Sequence, residues 1–316
     1  MARVPGKVGI VGVGYVGSTC AYSLVISGVP KELVLVDVRR EMAEGHAMDL
    51  NHGLSFVRPI RVYAGEYEDL AGAEVIVICA GAAQKPGESR MDLVQRNAAI
   101  FEDLVPRIVA QNNEAVLLVV TNPVDVLTYL TLKHSGLPAR QVIGSGTALD
   151  TARFRFLLGQ YLSVDPRSVH AYILGEHGDT EVPIWSTAHI GGVHIPDYCT
   201  MTGRTYDQVA MQNIFEQVRH AAYHLIERKG VSNFAIGLAL TSIIEAILHD
   251  EQRAMPVSTL VEEYYGIGDV CFSLPCILGK EGVRHVLRPH LSADEVAGLR
   301  QSAELVRGAI RRVSGG

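Results

Sequence analysis

No block rich in lysine and arginine interrupts this chain, and its formal net charge is −6. Neither nucleic acid nor an anionic membrane is therefore expected as its main partner. Its apolar runs are too short, or too often broken by glycine and polar residues, to span a bilayer. Cysteine is sparse: Cys20, Cys79, Cys199, Cys271 and Cys276 are scattered and lack the spacing of metal ligands. Cys20 and Cys79 fall in segments that read as buried and count as small core hydrophobes. The histidines, among them His46, His52, His189 and His194, show no metal-site spacing either and read as surface or core residues. Met1 to Lys7 leads straight into a strand pattern without the layout of a signal peptide. Internal repeats, low-complexity stretches and long linkers are missing too, so the parts of the chain should pack closely. What survives these exclusions is an ordinary cytoplasmic globular protein, with 48% apolar and 20% charged residues.

At 316 residues the chain has material for about two domains. From 1 to 145, short β-branched runs alternate with helical patterns. Strands are predicted at Lys7–Val11, Leu33–Val36, Val75–Cys79 and Val116–Val120, with shorter ones near Ile60–Tyr63 and Val142–Gly144. Most are near-continuous apolar runs, as parallel strands covered on both faces require. Helical stretches fall between them at Gly17–Ser27, Arg39–Asn51, Met91–Gln111 and Val124–Ser135, and Pro106 is expected to kink or split the third. Six strands with intervening helices make an α/β fold with a doubly wound parallel sheet. From 146 to 316 the rhythm changes. A helix at Leu149–Leu162 precedes a strand at His170–Leu174 and a hairpin around Gly191-Gly192. Long helices near Tyr206–Lys229 and Phe234–His249, strands at Ala254–Val261 and Val270–Ile277, and a final helix from Ala293 to Arg312 follow. This half reads as a mixed α+β substrate domain.

Gly12-Val13-Gly14-Tyr15-Val16-Gly17 follows the first strand and opens a helix. The first glycine permits a tight turn, the second lets a pyrophosphate approach the backbone, and the third lets helix and strand pack closely. The helix N-terminus then turns free N–H groups and its positive dipole end toward the phosphates. Tight turns use glycine for structural reasons alone, so the context decides. Asp37 ends the second strand, 20 residues after Gly17. A carboxylate there accepts hydrogen bonds from ribose hydroxyls and repels a 2′-phosphate, which favours NAD over NADP. Its structural alternative is a cap for the helix starting at Arg39. Ala80-Gly81-Ala82 and Thr121-Asn122-Pro123 end further strands where such sheets bind ligands, and the first of these loops should border the cofactor. Turn chemistry accounts equally well for Asn-Pro in isolation.

Further along, Gly175-Glu176-His177-Gly178-Asp179 sets a histidine between glycines, where the backbone is free to aim the ring at a ligand. Asp150 and Arg153 stand three apart, on one face of a helix. With GVGYVG, GAAQKPGESRMDL, TNPVDV, GSGTALDTARFR and GEHGD in this order, the sequence resembles the L-2-hydroxyacid dehydrogenases over essentially its whole length, and among them the bacterial L-lactate dehydrogenases. The resemblance implies a Rossmann-type NAD-binding domain at 1–145 and a catalytic domain at 146–316. It implies reversible hydride transfer between NADH and pyruvate, giving L-lactate. The cofactor would be held by Gly12, Gly14, Val16, Gly17, Asp37, Tyr67, Gly81, Ala82, Val120, Asn122 and Ser145, and the substrate by Gln84, Arg90, Asn122, Arg153 and Ser232.

By the same resemblance His177 gives the proton to the keto oxygen, and Asp150 fixes its other ring nitrogen and raises its pKa. Asp150 would also oppose the dipole at the start of its helix. Arg153 offers a planar fork to the substrate carboxylate, which lysine could not reproduce. Arg155, about 200° further round the helix, should do a different job. The segment from Gln84 to Arg90 reads as a lid that brings Arg90 onto the polarised carbonyl, where composition alone would suggest a solvated connection. Gln84 stands where malate dehydrogenases have an arginine for a second carboxylate, so oxaloacetate would be desolvated there without a countercharge. Ser232 replaces the family's usual threonine and should leave a slightly roomier pocket.

Arg155 and His170 match the positions at which activated bacterial members bind fructose 1,6-bisphosphate across a subunit interface, and a homotetramer is implied. Read without that match, they are a solvated arginine and a strand histidine. Malate dehydrogenase shares His177, Asp150 and Arg153 but conflicts with Gln84. A non-catalytic nucleotide sensor would have no need of an acid oriented by a carboxylate.

Overall fold

A computed structural model of the chain describes residues 6–82 and 90–313, the side chains at 90 and 91 excepted. Its strands form where β-branched runs coincide with burial on both sides. β1 (Lys7–Val11), β2 (Glu32–Val36), β3 (Arg61–Ala64), β4 (Val75–Ile78), β5 (Val116–Val119) and β6 (Val142–Gly144) lie parallel in the order β6-β5-β4-β1-β2-β3. Strand order reverses between β1 and β4, which opens a crevice at their carboxyl ends, the place where such sheets take ligands.

Alternation along each strand feeds two separate cores. Ile76, Ile78, Leu117 and Val119 face one, and Val75, Val77, Val116 and Leu118 face the other. Helices α1 (Tyr15–Ser27) and α2 (Arg40–His52) cover the second face through Cys20, Leu24, Ala43 and Ala47. Helices α3 (Arg90–Gln111) and α4 (Val124–Ser135) cover the first through Phe101, Leu104, Val105, Ile108 and Leu127. Pro106 does not split α3, which runs on to Gln111. An interior proline costs about 3 kcal/mol. Burial of the four large side chains flanking it returns roughly 1.5–3 kcal/mol each, so packing wins.

After α5 (Ala148–Leu162), strands β7 (Val169–Leu174), β8 (Val182–Ile190) and β9 (Val193–His194) form a separate antiparallel sheet. With α6 (Ile195–Met201) and α7 (Gln208–Lys229) they enclose a third core around Phe154, Leu158, Ile173, Met211 and Ile214. The chain then returns to the first sheet. β10 (Arg253–Val261), β11 (Val270–Gly279) and β12 (Gly282–Val286) extend it antiparallel beyond β6, joined by the pairing of Ser258 with Gly144, so that nine strands result where six are expected. α8 (Phe234–Leu248) packs on the face covered by α1, and α9 (Ala293–Val313) on the face covered by α4. The short α6 and β12 escape the sequence patterns. No helix among the described residues is long and apolar enough to cross a membrane. All five cysteines are free thiols; Cys20 is buried, whereas Cys79 is only half-buried.

Candidate active site

Close contacts dictate the glycines of the first turn. Gly12 has a φ of +90°, and a Cβ there would stand 2.4 Å from the Ala80 nitrogen. A Cβ on Gly17 would stand 2.0 Å from the Gly12 oxygen, so α1 can approach β1 only through glycine. At Gly14 the same position is open, with nothing within 4 Å, which leaves room for a pyrophosphate against the backbone at the start of α1. Asp37 spans the turn: its Oδ2 accepts the Val13 N–H at 2.8 Å and its Oδ1 the Arg39 N–H at 2.9 Å. The carboxylate thus steadies both the glycine turn and the approach to α2, and its remaining lone pairs suit ribose hydroxyls. Val16 is half-buried in the first turn of α1. Tyr67 is half-buried beneath the Arg107 guanidinium, 4.1 Å from its ring centre, within electrostatic reach of Asp37.

The other cofactor candidates meet through a residue the sequence reading passed over. Asn97, on α3 and 1% exposed, accepts the Ala82 N–H at 2.8 Å and donates to the Asn122 carbonyl at 2.9 Å. One buried amide therefore ties the loop after β4, with Gly81 and Ala82, to the turn after β5. Val120 is buried at the end of β5, and Ser145, just past β6, donates its N–H to the Val119 carbonyl at 2.8 Å. All of these residues lie along the carboxyl edge of the parallel strands. Gln84 and the Arg90 side chain lie outside the described residues.

Helix α5 carries Asp150 and Arg153 on one face, and Arg153 Nη1 donates to Asp150 Oδ1 at 2.9 Å. Asp150 Oδ2 lies 2.5 Å from His177 Nδ1. Burial pushes the Asp150 carboxyl up, but the His177 and Arg153 charges and hydrogen bonds outweigh it and hold the carboxyl below its ordinary value. Burial likewise pushes His177 down, and the charge and hydrogen bond of Asp150 overcome it, lifting the imidazole to about 9. Nδ1 being engaged, the ring can exchange a proton with a substrate only through Nε2. The Arg153 fork also reaches Ser232, with Nη2 3.4 Å from the hydroxyl oxygen.

The loop that carries this histidine is fastened at three consecutive residues. Gly175 exchanges two backbone hydrogen bonds with Ser273 on β11, at 3.0 and 2.9 Å. Glu176 gives its N–H to Ser302 Oγ on α9 at 2.6 Å, and His177 gives its own to Asp125 Oδ2 on α4 at 2.7 Å. The ring is thereby aimed by parts of both halves of the chain.

Both halves match models of one family. Residues 6–144 match the lactate/malate dehydrogenase NAD binding domain, and residues 147–314 match the lactate/malate dehydrogenase alpha/beta C-terminal domain. The chain belongs to the lactate/malate dehydrogenase family. It is similar to the L-lactate dehydrogenase of Acetivibrio thermocellus, 48% identical over 309 residues that cover 98% of each chain. It is also similar to that of Thermoanaerobacter pseudethanolicus, 46% identical over 307 residues, 97% of this chain and 99% of the relative. Among solved structures, the minor L-lactate dehydrogenase of Enterococcus mundtii superposes with a TM-score of 0.94 at 41% identity, covering 99% of this chain and 98% of that one. A lactate dehydrogenase from a Medee basin deep-sea metagenome library gives 0.95 at 44%, covering 99% and 100%. The protein is accordingly an oxidoreductase of this family, and NAD is its cofactor.

Within this family member, Arg155 and Arg153 part company as their helical spacing requires. Arg155 Nε donates to the Ala171 carbonyl at 2.9 Å, and its guanidinium lies 4.8 Å from the Tyr172 ring centre, on β7. His170, exposed on the same strand, stacks on His189 of β8 with ring centres 4.9 Å apart. Burial first, and then His189 and Arg155 beside it, lower the His170 pKa.

Two buried acids near His177 were missed as well. Asp125 is 2% exposed and Glu181 6%. Burial, and next the Asp150 charge, push Glu181 up to about 9, so it is neutral at pH 7. Asp125 looked like any helix-opening aspartate, and Glu181 sits in an alternating strand pattern; neither position carries a sequence signal. Asn97 did carry one, as a poor helix former inside a helix. A cluster of Glu245, His249 and Glu251 brings possible metal-ligand atoms within 4.8 Å of one another. Arg253 already bridges its carboxylates, at 2.5 Å from Glu251 and 3.5 Å from Glu245, which makes it an ion-pair group.

Proposed function

We propose that this chain is an NAD-dependent L-lactate dehydrogenase that interconverts pyruvate and L-lactate, with His177 as proton donor and acceptor. The observation that carries the reading is the continuous chain His177–Asp150–Arg153, in which one carboxylate orients both an acid and a carboxylate-binding fork. Arg153 grips the substrate carboxylate and sets the keto oxygen against Nε2 of His177. Bound NADH supplies the hydride to the carbonyl carbon. His177 passes its Nε2 proton to the carbonyl oxygen and ends neutral, while Asp150, already ionised, has stabilised the cation until that moment. Arg90 polarises the carbonyl, and Asn122 and Ser232 complete the substrate's surroundings. Gly12, Gly14, Val16, Gly17, Asp37, Tyr67, Gly81, Ala82, Val120 and Ser145 hold the cofactor along the strand edge, in a cytoplasmic enzyme built from a domain at 1–145 and another at 146–316.

Gln84 sets the preference for a methyl group over a second carboxylate. Arg155 and His170, facing their symmetry mates in a homotetramer, receive fructose 1,6-bisphosphate, and the gathering of Arg155, His170 and His189 around one strand supports this part of the reading. NADH absorbance followed with pyruvate and then with oxaloacetate tests the assignment. Faster turnover of oxaloacetate would move the enzyme to malate, and turnover of neither would remove catalysis from the reading.

A further inference from the structure

Two hydrogen-bonding groups at the centre of the molecule are left over by the mechanism. Asp125 lies in the first turn of α4, three residues past Asn122, so the helix that begins at the cofactor turn carries it inward. Its Oδ2 takes the N–H of His177, and its Oδ1 has no hydrogen-bond partner among the described residues. Ser258, wholly buried on β10, brings its hydroxyl close to this carboxyl. Burying a carboxyl is costly unless it serves a partner. A neutral amide or hydroxyl could have capped one backbone N–H more cheaply, and that makes the carboxyl at this position informative.

We propose that Asp125 is the positioning residue of the proton donor, fixing the His177 main chain against the cofactor turn and adding negative charge beside the imidazolium. This rests on the reading of His177 as the donor. The geometry gives the two functions separate handles. The 2.7 Å bond from the His177 nitrogen holds the backbone from which the ring projects, while Asp150 holds the ring itself. A ring tied at one nitrogen still pivots about its own Cα unless the main chain is held, and proton transfer tolerates little misplacement. The acids that face His177 are Asp150 from α5, Asp125 from α4 and Glu181 from its own loop, and Asp150 raises its pKa most. The groups that face Asp125 are His177 and Glu176 from the loop, with Cys271 of β11 also within reach. Burial pushes Asp125 up to about 7, with Ser258 and His177 pulling it back.

Three variants of the full chain separate the possibilities. Asp125→Ala should lower kcat for pyruvate on the order of ten- to a hundredfold with a smaller change in KM, because the grip on the main chain is lost. Asp125→Asn keeps an acceptor oxygen of the same size and should recover roughly tenfold of that loss while moving the alkaline inflection of kcat/KM about half a unit or more to lower pH, because the charge is gone. NADH binding, followed by fluorescence, reports whether each variant is folded. Equal kcat in both variants, or an unmoved inflection in Asp125→Asn, would overturn the proposal. His177→Asn tests the underlying reading separately: if it turns over pyruvate normally, the donor was misassigned, whatever Asp125 does.

Discussion

Replacing Asp150 by asparagine isolates the electrostatic part of the site. In the parent, Asp150 most of all, with Asp125 and Glu181 adding to it, carries His177 from 6.5 to about 9 against the opposing pull of burial, a bias of about 3 kcal/mol toward the imidazolium. Reduction of pyruvate needs that protonated ring, so it persists below the raised pKa and fades as pH rises through about 9. Oxidation of lactate needs the neutral ring and changes in the opposite sense. In Asp150→Asn the largest of these charges is gone while burial remains opposed only by Asp125 and Glu181, so the histidine falls to about its unperturbed value. At pH 7 no more than about a quarter of it is then protonated, a loss of roughly fourfold from population alone. The amide can also offer an N–H to Nδ1, stabilising the neutral ring with its proton on Nε2, a far weaker acid than the imidazolium and unable to accept the proton of lactate. Together these should reduce kcat/KM for pyruvate on the order of 10²–10³-fold at pH 7. Arg153 keeps one acceptor, so KM should rise less than kcat falls. The assay is NADH oxidation from pH 5 to 10, with lactate oxidation as its mirror. An alkaline inflection that stays near 9 in the variant would refute the electrostatic account of the pair.

Gln84→Arg should move the ratio of kcat/KM strongly from pyruvate toward oxaloacetate, since an arginine there supplies the countercharge a second carboxylate needs; an unchanged ratio would deny Gln84 its part in specificity. Fructose 1,6-bisphosphate should lower the KM for pyruvate, and a joint Arg155→Gln and His170→Gln variant should lose that response while keeping the basal reaction. A titration without effect on the parent KM would remove the regulatory site.

Much of the fold could be read from the sequence because its signals were local. The six parallel strands announced themselves as β-branched runs, and burial on both faces made those runs continuous. Gly17 was legible for the same reason, since a contact five residues away in sequence decides it. The site divides along this line. His177, Asp150 and Arg153 stand in short motifs, whereas the bonds that aim the histidine run from Asp125 across 52 residues and from Ser302 across 126. A serine and an aspartate of ordinary helices give no hint of such partners until the chain is folded. The extension of the sheet was hidden likewise, because β10 reaches β6 through one backbone pairing that no side-chain pattern records.

That extension changes what the two halves are. Family resemblance divides the chain between 144 and 147, yet the sheet runs across the division, and α8 and α9 from the second half cover faces of strands from the first. Leu240, Ile243, Ile244 and Ile247 on α8 are wholly buried. At roughly 1.5–3 kcal/mol apiece, their burial matches the whole stability of a typical domain. A fragment ending at 145 would bare that apolar face and the free edge of β6 together, and should aggregate or bind NADH only weakly when expressed alone. A monomeric fragment with parental NADH affinity and a cooperative melt would show that the face is dispensable. The functional gain from the shared sheet is fixity: Thr147 donates its N–H to Ser273 Oγ at 2.9 Å, and Ser273 in turn holds Gly175. Hydride and proton must arrive at neighbouring atoms of one substrate, and a seam bonded this closely keeps the strand edge that bears the cofactor from swinging away from the loop that bears the acid.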